Sequence, residues 1–404
     1  MSFRIGGACA LIVCAYACYW SLRLAVADYI IQDLSPSTAR IALRLAPGSP
    51  DYYLRLAQAD PAAALSALRR AAEFNPRSSS VWMDLAAAAE QHDDLPQAES
   101  SLKRAVATDK TFAPRWLLAQ FYFRRKDQAR FWPAVRAALD ASYDDVSPLF
   151  DMCWSLTQDP AAIPALALPD RSTVSRQYLE YLLARNRLDL AAVVAIRTAR
   201  QAASGDLPTL LIYCDRVLEK GGVSPAVAIW NLLAAKHLLH YPEVTPARGP
   251  SLINGSFSRE FLAGGFDWRV STPVEISFRQ DLSAPGVWFN FFGRQPQHCE
   301  LMNQYVPLEA GRRYRVVVNY ETDGMEGDTG IGWRAMDVGT GADLLHGSGR
   351  IMASQSHSTA GTYQFETPGD THLVKLILAY DRPLGAVRAE GSLALQNASL
   401  GWDR

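Results

Sequence analysis

An excess of charge of either sign is missing from this 404-residue chain: 40 Lys and Arg stand against 41 Asp and Glu, a net charge of −1. That balance argues against a nucleic-acid partner, which wants a basic stripe. Cysteine is scarce. Three of the six, Cys9, Cys14 and Cys18, lie in one apolar segment, and Cys153, Cys214 and Cys299 are scattered and odd in number. No disulfide framework follows, and without a Cys-x-x-Cys pair there is no structural zinc signature. Complete catalytic signatures are missing too. Gly347-Ser348-Gly349 lacks the full nucleophile elbow, and Gly339-Thr340-Gly341 reads as a hairpin turn rather than a dinucleotide fingerprint. A glycosidase would need two carboxylates across a cleft, and sequence alone pairs none. No enzyme and no cofactor are expected, because function must be argued from a site and none is visible.

What is present begins at the N-terminus. Ile5 to Leu22 carries no charge, with Arg4 before it and Arg23 after it. Eighteen apolar residues just suffice to cross a bilayer, and Tyr16, Tyr19 and Trp20 would form an aromatic belt at one end. The rival reading is a cleaved signal peptide with Ala25-Val26-Ala27 as the cleavage site. Both readings export the rest of the chain. The expectation is an uncleaved single-pass anchor in the inner membrane, residues 1–27, with an extracytoplasmic soluble part.

Behind the anchor a pattern repeats. Ala71 and Ala105 lie 34 residues apart, and Tyr53, Trp82 and Trp116 each follow six residues behind Pro47, Pro76 and Lys110. In the best copy, Trp82, Leu85, Ala86 and Ala89 share one face of a first helix. Pro96 suits the first turn of a second helix, whose inner stripe is Ala98, Leu102 and Ala105. The earlier copy, Tyr53, Ala64, Ala71 and Pro76, has a shortened first helix. In the later copy Trp132 stands where a small residue is expected, and Ala134, Ala138 and Ala141 fit after a two-residue insertion. These residues resemble the tetratricopeptide repeat (TPR), whose period is about 34. The resemblance implies an α-solenoid over 28–145 that binds a protein or peptide.

From 146 to 241 the stripes stay helical: Tyr178 to Leu183, Leu188 to Ile196, Leu210 to Val217, Val227 to Leu238, separated at Asn186, Asp206 and Gly221-Gly222. They predict paired helices of irregular length, a degenerate continuation of the solenoid. Pro242, Pro246, Gly249 and Pro250 mark a linker over 242–250. Beyond it the period becomes two: Val274, Ile276 and Phe278; Val287, Phe289 and Phe291; Tyr314, Val316 and Val318; Tyr363 and Phe365; Leu373 to Leu378; Leu393 to Leu400. An antiparallel β-sandwich over 251–404 is expected, although alternation alone does not separate it from a barrel. The order Leu252-Ile253-Asn254-Gly255, Gly265-Phe266-Asp267-Trp268, Pro307-Leu308-Glu309-Ala310-Gly311 resembles jelly-roll carbohydrate-binding modules and the wider galactose-binding-like sandwiches. Where such modules carry acidic residues near a structural calcium, Gln396-Asn397 stands here, which leaves calcium unsupported.

Sugar recognition needs aromatic faces beside amides or guanidinium groups. With Phe289 and Phe291 inward, Trp288, Asn290 and Phe292 point outward as one row, and Trp333 with Arg334 forms a second candidate. The alternative packs these rings under the linker or against the helices; Trp268 reads as core. Glu321, Asp323, Glu326 and Asp328 read as a solvated hairpin, and His237 with His240 as a polar helix end without a third metal ligand. The fold class is thus α then β, and the order of parts resembles bacterial envelope proteins that accompany polysaccharide assembly or export. That resemblance implies a membrane-anchored, non-catalytic scaffold with a protein or peptide partner and a sandwich that binds glycan. The alternative gives the sandwich the main activity as a polysaccharide-binding protein.

Overall fold

The computed structural model describes residues 2–250, 252–354 and 357–403, and of residues 2–11 the backbone only. The described part is fourteen α-helices followed by ten β-strands. The chain divides into two compact units, residues 1–170 and 171–404.

The first unit holds α1 (Ser2–Ile30), α2 (Pro36–Leu45), α3 (Pro50–Ala59), α4 (Ala64–Phe74), α5 (Ser79–Gln91), α6 (Leu95–Thr108), α7 (Phe112–Arg124), α8 (Gln128–Asp140), α9 (Ser147–Leu156) and the single turn α10 (Ile163–Leu166). Helices pair in sequence as α3 with α4, α5 with α6 and α7 with α8. The repeat residues explain the pairing. Ala71, Ala86, Ala98 and Ala105 are fully buried, so two helix backbones approach closely without a cavity. Ala64, Tyr53, Trp82 and Trp116 are half-buried and Pro76 is exposed. Tyr53 Oη donates to the Pro47 carbonyl at 3.1 Å, and Trp82 Nε1 donates to the Pro76 carbonyl at 2.9 Å. Each ring thereby ties the loop before its own helix.

The end of the expected anchor, 1–27, joins the start of the expected repeat region, 28–145, in a first hairpin. Ala27 and Ile31, at the end of α1, are buried with Ala39 and Ala42 of α2 and Tyr52 and Leu56 of α3. The expected anchor, 5–22, begins with residues whose side chains lie outside the described set. Among the described residues no helix is long and apolar enough to cross a membrane.

The α7–α8 copy corrects the expected insertion. Asp127 caps α8 as Asp94 caps α6, each accepting from the backbone N–H three residues on. Phe131, four residues past Asp127, therefore takes the buried place that Ala98 holds. Trp132 lies half-buried beside it. The N-caps Ser78 and Thr111, like Asp94 and Asp127, are 33 residues apart, so the α6–α7 connection is one residue shorter than α4–α5 and nothing is inserted.

The second unit opens with α11 (Ser172–Ala184), α12 (Leu188–Gln201), α13 (Leu207–Leu218) and α14 (Val223–Ala235). Over 146–241 the helices run from 4 to 14 residues, but these four, at 13, 14, 12 and 13, are near uniform. The reason is one turn used throughout. At Asp93, Lys126, Asn186 and Gly221 the backbone is left-handed. The next N–H reaches back five residues: Asp94 to Ala89, Asp127 to Tyr122, Arg187 to Leu182 and Gly222 to Val217. This is a Schellman closure, set by backbone conformation, so side-chain identity can drift while the hairpin persists.

Ten strands form the rest: β1 (Arg269–Val270), β2 (Ile276–Asp281), β3 (Gly286–Phe292), β4 (His298–Pro307), β5 (Arg313–Asp323), β6 (Asp328–Asp337), β7 (Arg350–Met352), β8 (Thr359–Glu366), β9 (Leu373–Asp381) and β10 (Glu390–Trp402). They make two antiparallel five-stranded sheets, ordered β1-β4-β9-β6-β7 and β2-β3-β10-β5-β8. Between the sheets lie Trp268, Trp333, Phe289, Phe291, Tyr314 and Tyr380. Val274, expected in the first strand, is fully exposed, because the turn in which Ile276 N–H meets the Pro273 carbonyl delays β2. The expected linker is pinned at its start: the Pro242 carbonyl accepts from Trp230 Nε1 at 3.1 Å, and Val244 exchanges two bonds with Asn231.

Candidate interaction surfaces

In the first unit a groove of about 640 Å³ opens along α1 and α3, lined among others by Leu24, Asp28, Ile31, Asp51, Leu54 and Arg55. Tyr52 Oη donates to Asp28 Oδ1 at 2.5 Å across this wall. Burial first, and then the bond to Asp28, push the Tyr52 hydroxyl up to about 12, so it remains a donor at physiological pH. The groove combines an apolar strip with both charge signs.

On the sandwich, Trp288 and Asn290 are half-buried on the outer face of β3 and Phe292 is exposed at its end. The Arg279 guanidinium lies 4.6 Å from the Trp288 ring centroid, and Asn290 Nδ2 donates to Ser277 Oγ at 3.0 Å. Trp333 does not join this row. It sits on β6 in the other sheet, buried edge-on against Trp268, because its position in the strand alternation faces the core. Arg334, its neighbour, turns to the outer face and pairs with Asp381, which also binds His298 Nδ1 at 2.8 Å. The candidate glycan residues therefore fall on two surfaces: Trp288, Asn290 and Phe292 on one sheet, and Arg334 on the other. Trp333 is buried, yet with Arg334 and Asp381 it lines a hollow of about 450 Å³ on β6.

Two further candidates resolve simply. Asp328 is ion-paired with Arg350 at 3.1 Å. His237 lies beyond the end of α14 in a left-handed turn, so it shares no helix face with His240. Among the described residues no group of three or more His, Cys, Asp or Glu is arranged to hold a metal ion.

A third contact joins the Gly265-Phe266-Asp267-Trp268 phrase to helix residues that no sequence pattern marks. The segment Gly264 to Arg269 locks the sandwich onto α13 and α14. Gly265 is left-handed, its N–H donates to Asp215 Oδ1 at 2.7 Å, and an added Cβ would stand 2.7 Å from the Trp230 ring. Arg269 pairs with the same Asp215 and lies 4.9 Å from the Tyr305 ring centroid. Trp230 meets Phe266 edge-on and stacks on Tyr241. Burial raises the Asp215 carboxyl above its ordinary value despite Arg269, and burial pushes Asp267, fully enclosed, up to about 6.

No protein-family model matches the chain, and no curated protein matches it. Solved structures similar to it fall into two groups. A CBM4 structure aligns with 38% of this chain and 100% of its own at 10% identity and a TM-score of 0.30. A TPR protein of Thermus thermophilus aligns over 30% of this chain and 71% of its own, at 21% identity and a TM-score of 0.26. YrrB, described as a TPR protein with an unusual peptide-binding site, covers 50% of this chain and 94% of its own, at 10% identity and a TM-score of 0.24. At such scores the likenesses carry no argument; the hairpins and the two sheets described above do.

Proposed function

We propose that this chain is a non-catalytic scaffold whose helical hairpins seat a protein or peptide partner along the α1–α3 groove. The observation that carries this reading is the groove itself: an open apolar strip of Leu24, Ile31 and Leu54 bordered by Asp28, Asp51 and Arg55. Leu54 is half-buried in the groove lining and also packs against the Leu68–Val81 core, so a charge there blocks the seat and the test is read on a variant that remains folded. A partner that co-purifies with the wild type is expected to be lost with Leu54→Arg while the circular dichroism is unchanged. Retention of that partner by the folded variant overturns the reading.

The sandwich supplies a second reading, glycan binding by Trp288, Asn290 and Phe292, supported by their common outward row on β3. Native gels containing polysaccharide are expected to retard the wild type and release Trp288→Ala. Absence of retardation with every glycan tried leaves the sandwich a structural part. The uncharged run 5–22 between Arg4 and Arg23 supports attachment to a membrane, with the remainder exported. Release of the full chain from membranes by carbonate washing overturns that location.

A further inference from the structure

Each sheet ends in two strands with one unpaired side, and three of these four edges are shielded. β1 is two residues long and carries Arg269. β7 is three residues long, carries Arg350, and meets β6 through a break in register. β2 is covered by the segment before it. Gln280 Nε2 donates to the Phe257 carbonyl at 3.0 Å and to the Arg259 carbonyl at 2.6 Å, and Phe261 stacks on Phe278. β8 differs from all three. It runs for eight residues with no proline, lysine or arginine, and its register on β5 is unbroken.

The ladder fixes which backbone groups of β8 are free. Thr367 N–H donates to the Arg312 carbonyl at 2.9 Å. By antiparallel alternation the groups of Phe365, Tyr363, Gly361 and Thr359 therefore turn to β5. On the other side of β5, Asp403 N–H donates to the Arg313 carbonyl at 3.0 Å, which is the phase this requires. The N–H and C=O of Ala360, Thr362, Gln364 and Glu366 thus point away from the sheet. Among the described residues nothing bonds to them, and all four residues are exposed.

We propose that β8 pairs with β8 of a second copy of this chain, antiparallel about a two-fold axis at Tyr363. That register sets Ala360 opposite Glu366 and Thr362 opposite Gln364, each twice, so all the free groups of both strands are used in four pairs of two bonds. A slip by two residues sets Ala360 against Pro368, which has no N–H, or carries Glu366 past the end of the opposite strand. Glu366 is the one charged residue of β8. It faces Ala360 rather than its own counterpart and stays paired with Arg313 at 3.2 Å, so no like charges meet. A second copy is the favoured occupant because the row of donors and acceptors is complementary to itself about Tyr363. The pairing is isologous and closes at two copies.

The experiment is sedimentation of the full chain in a mild detergent between about 1 and 100 μM, with hydrogen exchange at both ends of that range. The proteins are the wild type, Thr362→Pro, Ala360→Pro and Thr362→Val. Expected is a wild-type dimer in which the amides of Ala360, Thr362, Gln364 and Glu366 exchange about tenfold more slowly than in the monomer. Proline at a free-edge position removes an outward N–H and spares the β5 ladder. Each proline variant is therefore expected to dimerise about tenfold more weakly, since one outward donor is lost from each copy. Thr362→Val keeps the donor and is expected to dimerise like the wild type. A wild type that stays monomeric, a dimer whose four amides exchange as in the monomer, or a folded proline variant that dimerises like the wild type overturns the proposal. Should neither proline variant fold, the exchange of the wild type decides.

Discussion

Gly265 shows how a single residue determines a contact surface. Its left-handed backbone and its approach to Trp230 both exclude a side chain. Gly265→Ala is expected to cost about 2–3 kcal/mol, from left-handed strain plus overpacking, and to lower the urea midpoint of the second unit. Trp333 makes the opposite point. Offered with Arg334 as a second candidate, it is buried, because its parity in β6, between Ile331 and Ala335, turns it to the core. Parity was legible in β3, where Phe289 and Phe291 alternate over a long run. It was illegible in β6, where glycines at 330 and 332 dilute the pattern. Asp267 had been read as part of a phrase, and nothing local says that a carboxylate there is enclosed. That depends on Tyr241, 26 residues earlier.

At the level of the element, the recurrent hairpin turn lends itself to test. Lys126 and Asn186 hold a conformation that costs an ordinary side chain about 1 kcal/mol. Lys126→Gly is expected to stabilise the first unit by about 0.5–1 kcal/mol, read as a higher urea midpoint with an unchanged slope. Gly221→Val should destabilise the second unit by more, because a β-branched residue resists that region. These turns explain why α5 and α6 could be read from sequence and α11 to α14 only roughly. The tetratricopeptide-like residues advertise a hairpin through its core alanines, whereas the Schellman closure draws on backbone groups that every residue carries. The same holds for β1 and β7, two and three residues long, which are strands only because β4 and β6 offer them a ladder.

Across the whole molecule, the two compact units divide at residue 170, well before the Pro-rich stretch at 242–250 where composition changes. Composition marked the switch from helix to strand but not the boundary of cohesion, because the Asp215, Trp230 and Tyr241 contacts bind the last helices to the sandwich. Limited proteolysis is therefore expected to cut near residues 170–173, where Asp170 and Thr173 are exposed. A nick at 245–250 should leave its two pieces associated under native conditions, and size-exclusion chromatography distinguishes the cases.

The burial of Ala27 carries a consequence for maturation. A peptidase that reads Ala25-Val26-Ala27 needs its substrate drawn out as an extended thread. Here those residues belong to a helix, Ala27 is fully enclosed, and Asp28 beside it holds Tyr52. Cutting there would strip one wall from the first hairpin and open Ala39, Ala42 and Leu56 to water. In a folded chain that retains this segment, the bond after Ala27 is expected to resist added protease, read as no fragment beginning at Asp28 after limited digestion.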